Sequence, residues 1–207
     1  MHFASGDTSE AADILGFSFP GTSLVSTSSD PNSTISNVNF TGSSATQEAL
    51  PDELAINVPA GASNAANAVA NDSYFQFSIT PNVGYELDLS ELAFQVATAS
   101  PGAPNNGYVV RSSVDGFSSD LQSGPIPTDY PSYTLVTVNL SGSGFQNLLT
   151  QTTFRIYTWL DTTEPNPAAA CDDIVLRGTV VSVPEPGTWI LGASSLAMVV
   201  ISRRWKR

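Results

Sequence analysis

The 207-residue chain holds one cysteine, Cys171, and one histidine, His2. A single cysteine excludes a disulfide framework within the chain, and the two residues together exclude a Cys/His zinc cluster. With His2 at the extreme N-terminus, a Ser-His-Asp site is not expected either. Charge is scarce: 13% of residues are charged, against roughly 25% in ordinary soluble domains. Positive charge is scarcer still, with 7 Lys and Arg against 19 Asp and Glu and a net charge of −12. The division along the chain is sharper. Residues 1–183 carry Arg111, Arg155 and Arg177 against eighteen acids, which gives −15; residues 184–207 carry Arg203, Arg204, Lys206 and Arg207 against Glu185, which gives +3. Nucleic acid is not an expected partner, because phosphate neutralisation needs clustered Lys and Arg.

Apolar residues make up 41% of the chain, enough for a sizeable core, and the surface must be built from Ser, Thr, Asn, Gln and Gly. Helical periodicity is nearly absent before residue 186. Short alternating or β-branched runs separated by turn residues predict strands instead. They fall at Ile14–Phe19, Thr34–Thr41, Leu54–Val58, Ser73–Ile79, Leu92–Thr98, Tyr108–Val114, Tyr133–Leu140, Thr153–Leu160 and Asp173–Val181. Phe154, Ile156, Thr158 and Leu160 share one face of their strand, and Arg155, Tyr157 and Trp159 the other. Gly61–Asp72 reads as a loop or a short helix, and Asp115-Gly116 as a turn. The succession predicts an all-β domain, one antiparallel β-sandwich over residues 10–182, preceded by a disordered N-terminus over 1–9.

Three features follow one another at the C-terminus. Pro184-Glu185-Pro186, within residues 183–187, stops any strand, since neither proline has a donor. Thr188–Ser202 is uncharged and apolar on all faces, and Arg203–Arg207 supplies four positive charges. As a helix the fifteen-residue run spans about 22 Å at about 1.5 Å per residue. It is short against a hydrocarbon core about 30 Å thick. Trp189 and Trp205 suit the interfaces, and the basic residues 203–207 should stay cytoplasmic, leaving the β-domain outside. A core helix would show a polar face, which this run lacks. The tripeptide, the apolar run and the terminal basic cluster together resemble the PEP-CTERM sorting signal of exopolysaccharide-producing bacteria. The resemblance implies a transmembrane helix over 188–202 and processing near Pro184-Glu185-Pro186 by exosortase, an integral-membrane transpeptidase. It also implies an N-terminal signal peptide. Met1–Asp7 has no basic or apolar segment and is not a secretory signal as it stands. A misplaced start, a fragment or an intracellular protein would each account for that, and the C-terminus argues against the last.

The phrases Leu87–Phe94, Arg111–Phe117, Phe154–Trp159 and Asp172–Gly178 resemble the β-rich ectodomains that precede such signals. The last is similar to the closing strand of jelly-roll, galactose-binding-like modules. In such modules a carboxylate before the closing strand often joins the first strand around a structural Ca²⁺. Asp172 and Asp173, with Asp13, Glu10 or Asp7, would supply those oxygens; a solvated acidic turn is the alternative. Arg155, Tyr157 and Trp159 suit stacking on sugar rings or, alternatively, filling a core; Tyr108 and Tyr130 or Tyr133 would extend such a surface. Cys171 is expected to be a buried small residue rather than a nucleophile. Four Asn-X-Ser/Thr matches, at Asn32, Asn39, Asn71 and Asn139, fit an Asn/Ser/Thr-rich surface. The expected function is a non-enzymatic exported envelope or matrix protein, transiently anchored and processed through its C-terminus, with membrane lipid and exosortase as partners. A carbohydrate-binding module of the exopolysaccharide matrix is the alternative. A secreted glycan hydrolase or lyase would need two converging carboxylates, and no spacing singles a pair out.

Overall fold

Period-two alternation decides which side chains enter the core. On the strand Tyr74–Pro81, Phe75, Phe77 and Ile79 are wholly buried, and on Thr152–Leu160 so are Phe154 and Ile156. The two strands pair antiparallel, with Phe154 opposite Phe77 and Ile156 opposite Phe75. On Thr134–Asn139, Val136 and Val138 are buried while Leu135 is 67% exposed. The computed structural model describes residues 11–48, 50–99, 105–129, 131–162 and 167–183.

Two antiparallel sheets face each other. One contains β1 (Ala12–Phe17), β2 (Ser28–Ser29), β4 (Thr46–Glu48), β5 (Leu54–Asn57), β7 (Tyr85–Thr98), β10 (Thr134–Asn139) and β12 (Ala168–Ser182). Its order is β10-β7-β12-β1-β2, with β5 also paired to β12 and β4 to β5. The other contains β3 (Ser33–Ile35), β6 (Tyr74–Pro81), β8 (Asn106–Ser112), β9 (Gln122–Pro125) and β11 (Thr152–Leu160), in the order β3-β6-β11-β8-β9. From β6 to β12 the chain passes from one sheet to the other at every step except β8 to β9. Phe17 meets Phe77 edge-on at 5.6 Å between ring centroids, and Phe94 meets Tyr108 edge-on at 5.6 Å. Both pairs bridge the sheets and close the core.

The one α-helix among the described residues, α1 (Ala65–Ala70), is a single short segment. Asn64 caps it, its side-chain oxygen accepting from the Asn67 N–H at 2.9 Å, which satisfies one of the free amides of the first turn. None of the described helices is long and apolar enough to cross a membrane. The sorting motif Pro184-Glu185-Pro186, Trp189 and the basic residues 203–207 lie outside the described residues.

The strands β7 and β12 run much further than their sequence patterns suggested. Leu87 and Leu89 are buried while Glu86 and Asp88 alternate with them outward, so the polar half of the pattern masks a strand that pairs with β12 along nearly its whole length. Asp115-Gly116 forms no tight hairpin. It closes a 3-10 turn over Ser113–Asp115 with Gly116 left-handed at φ 70°, within a longer connection from β8 to β9. Asp115 accepts from the Ser118 and Ser119 backbone N–H groups. Desolvation pushes its carboxyl pKa up, but hydrogen bonds from Ser119 and Ser118 outweigh this and hold it below the usual value.

Candidate ligand-binding groove

The outer face of the five-stranded sheet carries Arg155, Tyr157 and Trp159 of β11, as the alternation requires. They do not form one exposed platform. Tyr157 is only 2% exposed. Its ring meets Tyr74, directly opposite on β6, edge-on at 5.2 Å, and the Arg111 guanidinium lies 5.9 Å from its centroid. The sugar-contacting role expected of Tyr157 is therefore corrected: neighbours on the sheet occupy the space a ligand would need. Arg155 lies 4.3 Å from the Tyr74 centroid and 4.0 Å from that of Phe117, and its Nε donates to Gln76 Oε1 at 3.0 Å. These contacts pin the Phe117 connection onto the sheet, helped by Arg111, which donates to the Phe117 carbonyl and to Asp120.

Trp159 stands apart. Its partner on β8 is Gly107, and the indole lies over that glycine. A Cβ at Gly107 would come within 2.1 Å of the indole Cζ2 and 2.6 Å of the Gly124 carbonyl oxygen. Glycine is thus required by close approach. The half-buried Trp159 forms one wall of an open groove of about 790 Å³ at one pole of the sandwich. Pro125–Thr128 form another wall; Asn105 and Asn106 line the groove where β8 begins, Asp161 just past the end of β11, and Ser63 and Asn64 on the approach to α1.

Main-chain bonds fix these segments. Ile126 N–H donates to the Asn106 carbonyl, Asp161 N–H to the Asn105 carbonyl and Leu160 N–H to the Ala62 carbonyl, each at 3.1 Å. Asn105 Nδ2 also donates to Asp161 Oδ2 at 3.1 Å. The Asn106 side chain is only 6% exposed, and both of its amide atoms lack a hydrogen-bond partner among the described residues. An unpaired buried polar group of this kind costs about 1–3 kcal/mol. Among the described residues that line it, the groove therefore combines an aromatic face, several amides and hydroxyls, one carboxylate and no cation. Sequence reasoning found Trp159 but missed Asn105, Asn106 and Asp161, which read as loop residues flanking strands.

Of the proposed calcium ligands, Asp13, Asp172 and Asp173 do not assemble; Glu10 and Asp7 lie outside the described residues. Asp13 stands opposite Arg177 on β12 and accepts from its Nε at 2.9 Å; Arg177 also pairs with Glu91. Asp173 is four residues away along β12, about 13 Å at about 3.3 Å per residue. It sits left-handed at φ 47° in a bulge and accepts from Gln95 Nε2 at 2.9 Å. Asp172 accepts from the Asp173 N–H at 2.8 Å. Among the described residues no three His, Cys, Asp or Glu side chains form a metal-binding group. Asp172, Asp173 and Asp13 thus do not fit a shared ion. Cys171 is buried, and burial followed by the charge of Asp172 raises its thiol pKa well above the ordinary value, which removes the thiolate a nucleophile needs. Tyr108 is buried beside Phe94 rather than part of a surface, and the Tyr133 hydroxyl donates to the buried Glu53 carboxylate. Tyr130 lies outside the described residues.

No protein-family model and no curated protein matches the chain. Several solved structures are similar to it. The K3 cleaved adhesin domain of Lys-gingipain from Porphyromonas gingivalis W83 is 12% identical, with 81% of this chain and 99% of that domain covered and a TM-score of 0.45. The carbohydrate-binding module TmCBM61, solved with β-1,4-galactotriose, is 9% identical over 80% of this chain and 97% of its own, with a TM-score of 0.37. The family 11 carbohydrate-binding module from Clostridium thermocellum, solved with a β-1,3-1,4-mixed-linked tetrasaccharide, is 10% identical over 80% of this chain and 96% of its own, with a TM-score of 0.35.

Proposed function

We propose that this chain is a carbohydrate-binding β-sandwich of the jelly-roll, galactose-binding-like type, exported and carried to the cell envelope or matrix by a PEP-CTERM sorting signal. The observation that carries the binding reading is the Trp159 indole in one polar groove with the hydrogen-bonded Asn105–Asp161 pair. A sugar presents an apolar C–H face that stacks on an aromatic ring, and hydroxyls that both donate and accept. Those hydroxyls match the side-chain amides of Asn64 and Asn105 and the carboxylate of Asp161. With Asp161 present and no cation among the described residues of the wall, the groove favours neutral over anionic sugars. The binding role needs no catalytic group, and the chain is read as a non-enzyme.

Glycan-array binding of the body, followed by calorimetry on any hit, tests this reading. Trp159→Ala should abolish a neutral-glycan signal that the parent shows. A parent that binds no glycan, or a variant that binds equally well, overturns it.

The sorting reading rests on Pro184-Glu185-Pro186, the apolar run 188–202 and the basic cluster 203–207. In this reading exosortase cuts near the motif while the short apolar run holds the precursor in the membrane. The full chain, given a working export signal, should lose its C-terminal segment in a host with exosortase and keep it in a matched host without one. Mass spectrometry finding Arg207 retained equally in both hosts would reject the sorting signal.

A further inference from the structure

The chain leaves the sandwich at the pole opposite the groove. At its start, Ala169 of β12 pairs with Thr98, whose N–H donates to the Pro127 carbonyl in the groove wall. At its end, Ser182 pairs with Tyr85, and the Val183 N–H donates to the Gly84 carbonyl at 2.8 Å. The fourteen steps from Ala168 to Ser182 cover about 46 Å at about 3.3 Å per residue.

Three exposed apolar side chains lie toward the exit pole. Val83, at the tip of the turn between β6 and β7, is 102% exposed; Leu149 is 62% exposed and Val181 40%. The Leu87–Leu148 bridge sets Leu149 beside Glu86, and Glu86 stands opposite Val181. Single exposed apolar residues need no explanation. Here three lie toward the point where the chain departs. Five steps separate Val183 from Thr188, the first residue of the uncharged run, a reach of about 18 Å at most. Whatever holds that run is held close to this pole.

Resting on the reading that residues 188–202 lie in a bilayer, we propose that the Val83–Leu149–Val181 pole docks on the outer surface of that bilayer and points the groove away from it. The contact is apolar apart from Glu86, which stands between Leu149 and Val181. Glu86 within the patch and the acidic body disfavour anionic headgroups, so a zwitterionic surface is the fitting partner. Docking in this orientation leaves Trp159 facing the matrix while the precursor is still anchored.

The test uses the full chain in phosphatidylcholine vesicles, with an environment-sensitive dye on Val83→Cys or, as a control beside the groove, on the exposed Ala66→Cys. Cys171, 1% exposed, stays unlabelled. Flotation reports whether the chain is in the bilayer at all. The proposal expects a floating chain whose dye at position 83 shifts to the blue and is quenched by nitroxide-bearing lipid, with the dye at position 66 unaffected. A floating chain with a water-like signal at position 83 overturns the docking and leaves the anchor standing. A blue shift without nitroxide quenching also overturns it, since another part of the chain then covers the patch. A chain that fails to float overturns the anchor, and the docking with it.

Discussion

The Trp159 indole lies across Gly107, closer than any β-carbon there would tolerate. Gly107→Ala must therefore push the indole out of the groove wall, and the Gly124 backbone on the other side cannot yield as a flexible side chain would. Overpacking of this kind costs about 1–3 kcal/mol. Thermal melts should show a lower Tm, by about 2–4 °C for each kcal/mol in a domain of this size, and glycan affinity should fall together with it. An unchanged Tm would mean that the indole is not seated as described.

Asn106→Leu separates binding from stability. It replaces the orphaned amide by an apolar group of similar volume, so the penalty of about 1–3 kcal/mol for an unpaired buried polar group is removed. The unliganded variant should melt a few degrees above the parent, and a glycan that raises the parent's Tm should still raise the variant's, because the buried amide stands opposite Leu160 on the inner face. A variant that melts lower would show that the amide is already satisfied in the free protein.

Gly178→Ala should be the most damaging single methyl group in the larger sheet. A Cβ at Gly178 would come 2.3 Å from the Asp88 carbonyl oxygen and 3.1 Å from the Leu89 Cα, where the β12–β7 register shifts. Both obstacles are backbone, so the ladder itself has to open. A loss at or above the upper end of about 1–3 kcal/mol is expected, read as a fall in the denaturation midpoint with the buried Phe94 environment disturbed in near-ultraviolet circular dichroism.

The sandwich was legible because its alternating runs are strong: Phe75, Phe77 and Ile79 on β6 and Val136 and Val138 on β10 point inward as their spacing demands. Two-residue and three-residue edge strands such as β2 and β4 have no period to read. The site was legible only in part. Trp159 declares itself as an aromatic on the outer face, yet the same alternation gives Tyr157 the same face without revealing that Tyr74 and Arg111 cover it. That cover comes from cross-strand neighbours far apart in sequence. Asn106 is the opposite case. Its buried amide has no partner, and a missing partner has no sequence signature. The calcium set failed for a register reason: Asp13 pairs with Arg177, not with the residues beside Asp173.

Asp172 gives the pH prediction. Its carboxyl pKa is raised, first by burial and then, against one opposing bond from the Asp173 N–H, by the negative charges of Asp173, Glu53 and Asp52. A carboxyl that is harder to ionise in the folded state binds its proton more tightly there than in the unfolded chain. Its contribution is therefore least unfavourable below the unfolded value of about 3.9, and the penalty grows as pH rises through the folded value. Asp172→Asn keeps the oxygen that accepts from the Asp173 N–H and removes the charge. At neutral pH the variant should be the more stable protein, and its advantage should shrink as pH falls into the carboxylate range and vanish below it. Urea midpoints for parent and variant across pH 3–8 read this directly. A constant difference at all pH values would show that Asp172 acts through its hydrogen bond alone, and a variant that is less stable at neutral pH would mean that its carboxylate is held by a cation in solution.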